Sequence, residues 1–362
     1  MSDLHAATPA SRLRQRIRQQ GPVPFAHFME EALYGEGGYY ARPEAPIGEA
    51  GDFITGSSVS PLFARTTHRL LRRLDSVLDG PAEMLEVGYG NGLHLAEVAA
   101  AATGDGRRLR GVDRVMRQLP SGVDAAPTEL LTDLHAVEDG EVDGLIFAYE
   151  LFDALAVHRL IALEGGELGE MWVRLDDDEA FAWETGPLTD PALERLLASG
   201  RDSLEPGQIA DLAPGWTPLY RQLASKLGRG LLVVCDYGFE RHRLLDPRVR
   251  RAGTLACYSR HRVHRNPLVS VGEQDLTAHV DFTALREAGE AEGLETIAFT
   301  RQARWLTACG LFSELETAGG DAARRQAMRL LDGEGMGEEL RVLVQGRGVV
   351  PGELLPLDIL SG

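Results

Sequence analysis

The chain has 362 residues, enough for one large domain or two modest ones around a full core. Apolar residues make up 44% and charged residues 25%, which excludes disordered, collagen-like and coiled-coil chains. Lys plus Arg number 37 against 55 for Asp plus Glu, and the resulting net charge of −18 opposes general binding to nucleic acid or anionic lipid. With no run of about 18 apolar residues, no membrane insertion is expected. Cys235, Cys257 and Cys309 are odd in number and widely spaced, without a C-x-x-C pair. They support neither a disulfide framework nor a zinc site, and they suit a reducing cytoplasm. The first twenty residues are arginine-rich but lack an apolar h-region, and Leu13 and Ile17 already fit a first helix, so they read as mature protein.

Residues 10–34 read as two short helices broken at Gly21-Pro22-Val23-Pro24, the second carrying Phe25, Phe28, Met29 and Leu33 at helical spacing. A long glycine-rich loop follows, Gly35 to Ser60. It holds Gly37-Gly38-Tyr39-Tyr40 and Gly51-Asp52-Phe53-Ile54-Thr55, and such length without periodicity marks a functional lid or a mobile surface loop. A helix over 61–78 then places Leu62, Phe63, Leu70, Leu71, Leu74 and Leu78 on one face.

From residue 83 the pattern is the strand–helix alternation of a parallel sheet: strands at Glu83–Val87, Leu109–Val112, Leu130–Leu131, Gly144–Ala148, Leu231–Cys235, Glu295–Phe299 and Leu340–Val344, with helices at 93–102 and 282–292. Between Ala148 and Leu231 lie roughly eighty residues, far beyond the ~10–12 a crossover needs, so an inserted cap is expected there. Its tryptophans are Trp172, Trp183 and Trp216, and it carries the acidic run Asp176–Glu179. The expected division is residues 1–80 for the N-terminal helices and lid loop, 81–155 and 228–348 for the core, 156–227 for the cap, and 349–362 for a tail.

Glu86-Val87-Gly88-Tyr89-Gly90-Asn91-Gly92 sets glycines at i, i+2 and i+4 between a strand and a helix. A dinucleotide fingerprint, G-x-G-x-x-G, needs its third glycine where Leu93 stands, which disfavours a nicotinamide-dependent oxidoreductase. The form E-x-G-x-G-x-G resembles class I S-adenosylmethionine (SAM) methyltransferases, whose ligand presents an ammonium rather than a phosphate. Asp113, about twenty residues on at the end of the next strand, suits the ribose hydroxyls. Asp133, with Thr132 beside it, suits the adenine amino group or a helix cap.

Further segments resemble one family, the MidA-type methyltransferases: Gly21–Pro24, Gly38-Tyr39-Tyr40, Gly51–Thr55, Glu86–Gly92, Glu150-Leu151-Phe152-Asp153-Ala154-Leu155, Asp236-Tyr237-Gly238, Gly272–Phe282 and Met336-Gly337-Glu338. Gly56-Ser57-Ser58 stands where the family usually has S-P-E, and Tyr149 where an asparagine is common. The resemblance implies a Rossmann-like, seven-stranded class I methyltransferase sheet with an N-terminal helical lid and an inserted cap. It implies SAM as cofactor, held by Thr55, Glu86, Gly88, Gly90, Gly92, Asp113, Thr132 and Asp133, and no metal. It also implies protein arginine N-methylation, with a client protein such as a respiratory-chain subunit, since mitochondrial relatives act in complex I assembly.

For a guanidinium acceptor, Glu150 at the C-terminal edge of the fourth strand is the expected carboxylate, with Asp153 as a second arm. His279 would relay a proton, or serve structurally, and Asp281 shares its face or caps the next helix. The basic stretch Arg241–Arg265 would grip an acidic peptide or RNA, or simply form a solvated loop. A non-catalytic assembly factor and a small-molecule methyltransferase remain as alternatives.

Overall fold

The computed structural model describes residues 8–42, 60–120, 126–191, 193–197, 204–259, 262–332 and 336–360. Thr8 caps helix α1 (Pro9–Gln20), its hydroxyl accepting the Ser11 N–H at 3.2 Å, and Gly21 ends it with φ +85°. After Gly21 the chain forms a short strand, β1 (Val23–Pro24), and then α2 (Phe25–Tyr34). Ser60 caps α3 (Pro61–Asp75), which buries Leu62, Phe63, Leu70, Leu71 and Leu74. This helix stops short of Leu78 because Asp75 is turned to other work. Its carboxylate takes the Ala82 N–H at 2.7 Å and pairs with Arg107 at 3.1 Å.

Next come β2 (Glu83–Val87), α4 (Leu93–Ala101), β3 (Leu109–Val112), β4 (Thr128–Leu131) and β5 (Val142–Tyr149). The inserted residues form β6 (His158–Ala162), β7 (Leu168–Leu175), β8 (Phe181–Gly186) and β9 (Ile209–Leu212), followed by α5 (Trp216–Lys226). With β1 they make a five-stranded sheet, since β1 pairs antiparallel with β7, Val23 opposite Val173. Phe25 meets Trp183 at 5.2 Å and Phe28 meets Phe181 at 5.3 Å, so α2 is seated on this inserted sheet.

The chain returns to the core in β10 (Leu227–Phe239). The segment expected as a basic loop contains strands: β11 (Ala256–Ser259) and β12 (Arg262–His264) pair within it and are joined by β13 (Asp275–Thr277). Then follow β14 (Val280–Asp281), α6 (Phe282–Ala291), β15 (Glu295–Arg301), α7 (Gln302–Cys309), α8 (Leu311–Ala318), α9 (Gly320–Leu331) and β16 (Leu340–Arg347). The expected tail is also structured. Short helices at Pro351–Leu354 and Leu357–Leu360 bury Leu354, Leu355 and Leu360.

The main sheet runs β15-β16-β10-β5-β2-β3-β4, with β14 beside β10. Strands β4, β3, β2, β5 and β10 are parallel, while β16 runs antiparallel to both β10 and β15. Successive residues of its central strands feed two cores on opposite faces. Leu85, Ile146, Leu232 and Val234 join the core under α1, α2, α5 and α6. Met84, Leu145, Phe147, Leu231 and Val233 join the core under α3, α4 and α7. Gly144 and Gly230 let β5 and β10 approach closely: a Cβ on Gly230 would lie 1.9 Å from the Gly144 carbonyl oxygen.

Candidate active site

The carboxyl ends of β2, β3 and β5 open onto a cavity of about 430 Å³, room for a nucleoside-sized ligand. The turn between β2 and α4 forms its floor. Gly88, Gly90 and Gly92 all have positive φ, at +76°, +57° and +73°, so the spacing read from the sequence corresponds to three left-handed residues. A Cβ on Gly88 would lie 2.8 Å from Leu151 Cδ1, and one on Gly92 would lie 2.6 Å from Leu119 Cδ2. Gly88 and Gly90 line the cavity; Gly92 stands behind them as the residue that starts α4.

Asp113, at the end of β3, braces this turn. Its Oδ2 accepts the Gly90 N–H at 2.9 Å and its Oδ1 the Val115 N–H at 3.0 Å. A carboxylate has about four acceptor positions, so two remain for ribose hydroxyls. Thr132 and Asp133 line the same cavity, and Asp133 also caps the turn at Leu134–Ala136 by accepting the His135 N–H at 2.9 Å. Glu86 is buried, with Oε2 3.1 Å from His94 Nδ1. The two atoms are close but misaligned for a hydrogen bond, so the contact is electrostatic, and Oε2 keeps its acceptor capacity. On its other side His94 Nε2 lies 3.1 Å from Thr67 Oγ1. Arg117 donates to the Tyr40 carbonyl at 2.6 Å and the Arg42 carbonyl at 3.0 Å, tying the chain after α2 to the glycine turn.

The opposite wall is acidic. Glu150 follows β5 with φ +48°, a costly conformation for a side-chain-bearing residue. Its neighbours hold it there: the Glu150 N–H donates to the Cys235 carbonyl at 2.9 Å, and Asp236 Oδ2 accepts from the N–H groups of Leu151, Phe152 and Asp153 at 3.1, 2.8 and 3.4 Å. Trp216 Nε1 closes the turn on the Phe152 carbonyl at 2.8 Å, and the Tyr34 hydroxyl on the Ala154 carbonyl at 2.9 Å. Glu150 lines the cavity, and its Oε1 is buried without a hydrogen-bond partner. Burial first, then the Asp236 carboxylate, pushes the Glu150 carboxyl well above the ordinary range. Asp153 is pushed up by burial, then by Asp236, Glu150 and Asp275. Four carboxyl groups therefore act on one another here.

Asp153 is buried outside the cavity lining, behind Glu150, so the expected second arm does not reach the pocket. His279 also lies outside the lining. The parallel pairing of Gly238 with Val280 turns it onto Phe239, ring centroids 5.4 Å apart, and burial, followed by the nearby Arg250, pulls it down to about 4. Asp281 caps α6, accepting the Thr283 and Ala284 N–H groups at 3.0 and 3.2 Å, and pairs with Arg241 at 2.6 Å. Tyr39, expected in a lid, is fully buried in the core, whereas Tyr40 stacks on Tyr34 at 5.7 Å in the cavity wall. Thr55 and the rest of Gly51–Ser58 lie outside the described residues. Sequence reasoning gave no role to Asp236, Asp275, Tyr34, His94 or Arg117. Asp236 did stand in a quoted motif, but what it holds lies more than eighty residues away.

Among the described residues no His, Cys, Asp and Glu cluster could hold a metal ion, and no helix is long and apolar enough to cross a membrane. A parallel sheet with one reversed strand next to its edge, opening at the carboxyl end over a glycine turn, is the architecture of class I SAM-dependent methyltransferases. A solved COG1565 superfamily member and likely methyl transferase from Burkholderia thailandensis, bound to S-adenosylhomocysteine, superposes with a TM-score of 0.82 at 28% identity, covering 94% of this chain and 92% of that one. The chain belongs to the family described as "Putative S-adenosyl-L-methionine-dependent methyltransferase", whose model matches residues 117–300. It is also similar to the protein arginine methyltransferase NDUFAF7 of mouse mitochondria, 24% identical over 93% of this chain and 84% of that protein. The Drosophila melanogaster homolog is 25% identical over 78% and 70%.

The protein is thus a SAM-dependent methyltransferase, and its site fits that cofactor. Asp113 retains acceptor positions, Glu86 Oε2 is buried with no hydrogen bond, and Gly88 and Gly90 line the cavity with backbone alone. Bound SAM supplies an electrophilic methyl group on a sulfonium.

Proposed function

We propose that the methyl acceptor is a protein arginine, received by Glu150. The observation that carries this reading is Glu150, whose side chain lines the cavity among other carboxyls and whose Oε1 is buried with no hydrogen-bond partner. A buried acid raised by its burial and by neighbouring carboxylates lacks a cation, and a guanidinium offers a planar pair of donors at fixed charge. Glu150 would align the nitrogen for in-line attack, with Asp153, Asp236 and Asp275 adding negative potential from behind. As the nitrogen–methyl bond forms and the sulfur–methyl bond breaks, one guanidinium proton must leave, and Glu150, ionised by the arriving cation, is placed to take it. The names of the mouse and fly relatives support arginine as acceptor. We extend the reading to a respiratory-chain subunit as client and to the cytoplasm as location, which three buried free cysteines suit.

The test is incubation with methyl-labelled SAM and a host lysate, followed by mass spectrometry of the proteins. Label on arginine of a discrete protein is expected. Label confined to small molecules, or to lysine, overturns the reading.

A further inference from the structure

The carboxyl end of β10 carries an unusual charge arrangement for so acidic a chain. Three guanidiniums converge on the Phe239 ring: Arg250 with Cζ 3.9 Å from the centroid, Arg341 at 5.1 Å and Arg243 at 5.5 Å. They come from two places, β16 for Arg341 and the segment after β10 for the other two. The hydrogen bonds they do make go to neutral carbonyls. Arg250 Nη1 donates to Arg243 O at 2.8 Å, and Arg341 Nη1 to the Glu338 and Glu339 carbonyls, the latter at 3.3 Å. Among the described residues none of the three forms an ion pair. Of the neighbouring acids, Glu338 is engaged with Arg301, Asp246 with Arg248 at 2.7 Å and Asp281 with Arg241 at 2.6 Å, while the exposed Glu339 acts on Arg341 through its charge without forming an ion pair.

His279, tilted against the same ring with centroids 5.4 Å apart, has a buried Nδ1 with no hydrogen-bond partner. Burial and the surrounding arginines push Arg341 down to about 10, the response of a cation held among like charges. Clustered cations around an aromatic ring and an unpaired imidazole nitrogen form a site that lacks only an anion.

We infer that this Phe239–His279 cluster binds an acidic side chain of the client, and so selects arginines that have an aspartate or glutamate nearby in sequence. The inference rests on the arginine reading of the cavity. The two sites share one strand: the Glu150 N–H bonds the carbonyl of Cys235, four residues before Phe239. At ~3.3 Å per residue they are ~13 Å apart, which an extended peptide spans in three to four residues. A single carboxylate is favoured over a polyanion because the net charge of −18 repels extended negative chains. The basic stretch read from the sequence is thereby narrowed to Arg243 and Arg250, joined by Arg341 from across the sheet.

The test uses short synthetic peptides with one arginine and either Glu or Gln three or four residues to either side, with binding and methyl transfer both measured. The wild-type enzyme should favour a Glu peptide by about tenfold in Kd. The double variant R243Q/R250Q, and the exposed single variant Arg243→Gln in lesser degree, should lose that preference while keeping SAM affinity. Equal binding of Glu and Gln peptides, or a preference that survives in R243Q/R250Q, overturns the inference, as does displacement by a short RNA at lower concentration than the Glu peptide. Replacing the peptide arginine by lysine separates the two readings. If the Glu preference persists but transfer and arginine dependence are absent, the acidic subsite stands and the arginine pocket fails. Arginine-dependent transfer without Glu preference gives the reverse.

Discussion

Glu150 combines three costs at one residue: a left-handed backbone, a buried carboxyl and an orphaned oxygen. Such costs persist where the surroundings over-determine them, and here Asp236, Trp216 and Tyr34 fix the turn through five backbone groups. Glu150→Gln keeps shape and one oxygen but removes the charge, so single-turnover transfer to an arginine peptide should fall by roughly 10²–10⁴-fold with near-normal SAM affinity. Stability should move the other way. The folded-state pKa lies above the usual 4.5, so the folded protein holds a proton that the unfolded chain releases, and that stabilisation, present below about 4.5, is lost as pH rises. The glutamine variant should therefore melt above wild type at pH 7.5, the gap closing towards pH 4.5; equal melting temperatures throughout would contradict this. Asp113→Ala removes a charged acceptor and should weaken SAM by ~1.5–3 kcal/mol in calorimetry. Because Asp113 also holds the Gly90 N–H, the turn should loosen too, raising amide exchange at Gly90.

At the scale of elements, one buried acid ties two strands of the inserted sheet to the segment that follows β10. Asp211 on β9 pairs with Arg159 on β6 at 2.9 Å and accepts the Thr254 and Leu255 N–H groups at 2.6 and 3.0 Å. Asp211→Ala would strand Arg159 and two backbone donors in the interior, so denaturant unfolding should show a loss of about 3–5 kcal/mol. The central main-sheet strands were legible in the sequence because they are largely apolar runs whose alternate residues feed two cores. The glycine turn was legible because left-handed residues need glycine. Helices α7, α8 and α9 were not foreseen: α9 buries only Ala327 and Leu330, too few to set a helical period. Strands β11, β12 and β13 were missed because they are three or four residues long and hold exposed charges such as Arg262. The acidic wall was half legible. Glu150 could be placed at the end of its strand, but Asp236 acquires its role only when β10 lies beside β5.

At the scale of the whole molecule, a net charge of −18 surrounds a cavity whose proposed acceptor is a cation, so the field of the entire chain would draw a basic peptide inward. Salt screens that long-range part most. The Debye length falls from ~10 Å at 0.1 M to ~3 Å at 1 M, whereas in the proposed complex Glu150 would meet the guanidinium at contact distance inside a desolvated wall. Capture and chemistry should therefore separate in one titration. Raising NaCl across that range should increase KM for an arginine peptide several-fold while kcat changes little, because the contact that aligns the nitrogen is screened least. Affinity for SAM, set by the glycine turn and Asp113, should change less than the peptide KM. A fall in kcat parallel to the rise in KM would mean that the acidic field acts on the transfer step itself, and that Glu150 alone does not set the alignment.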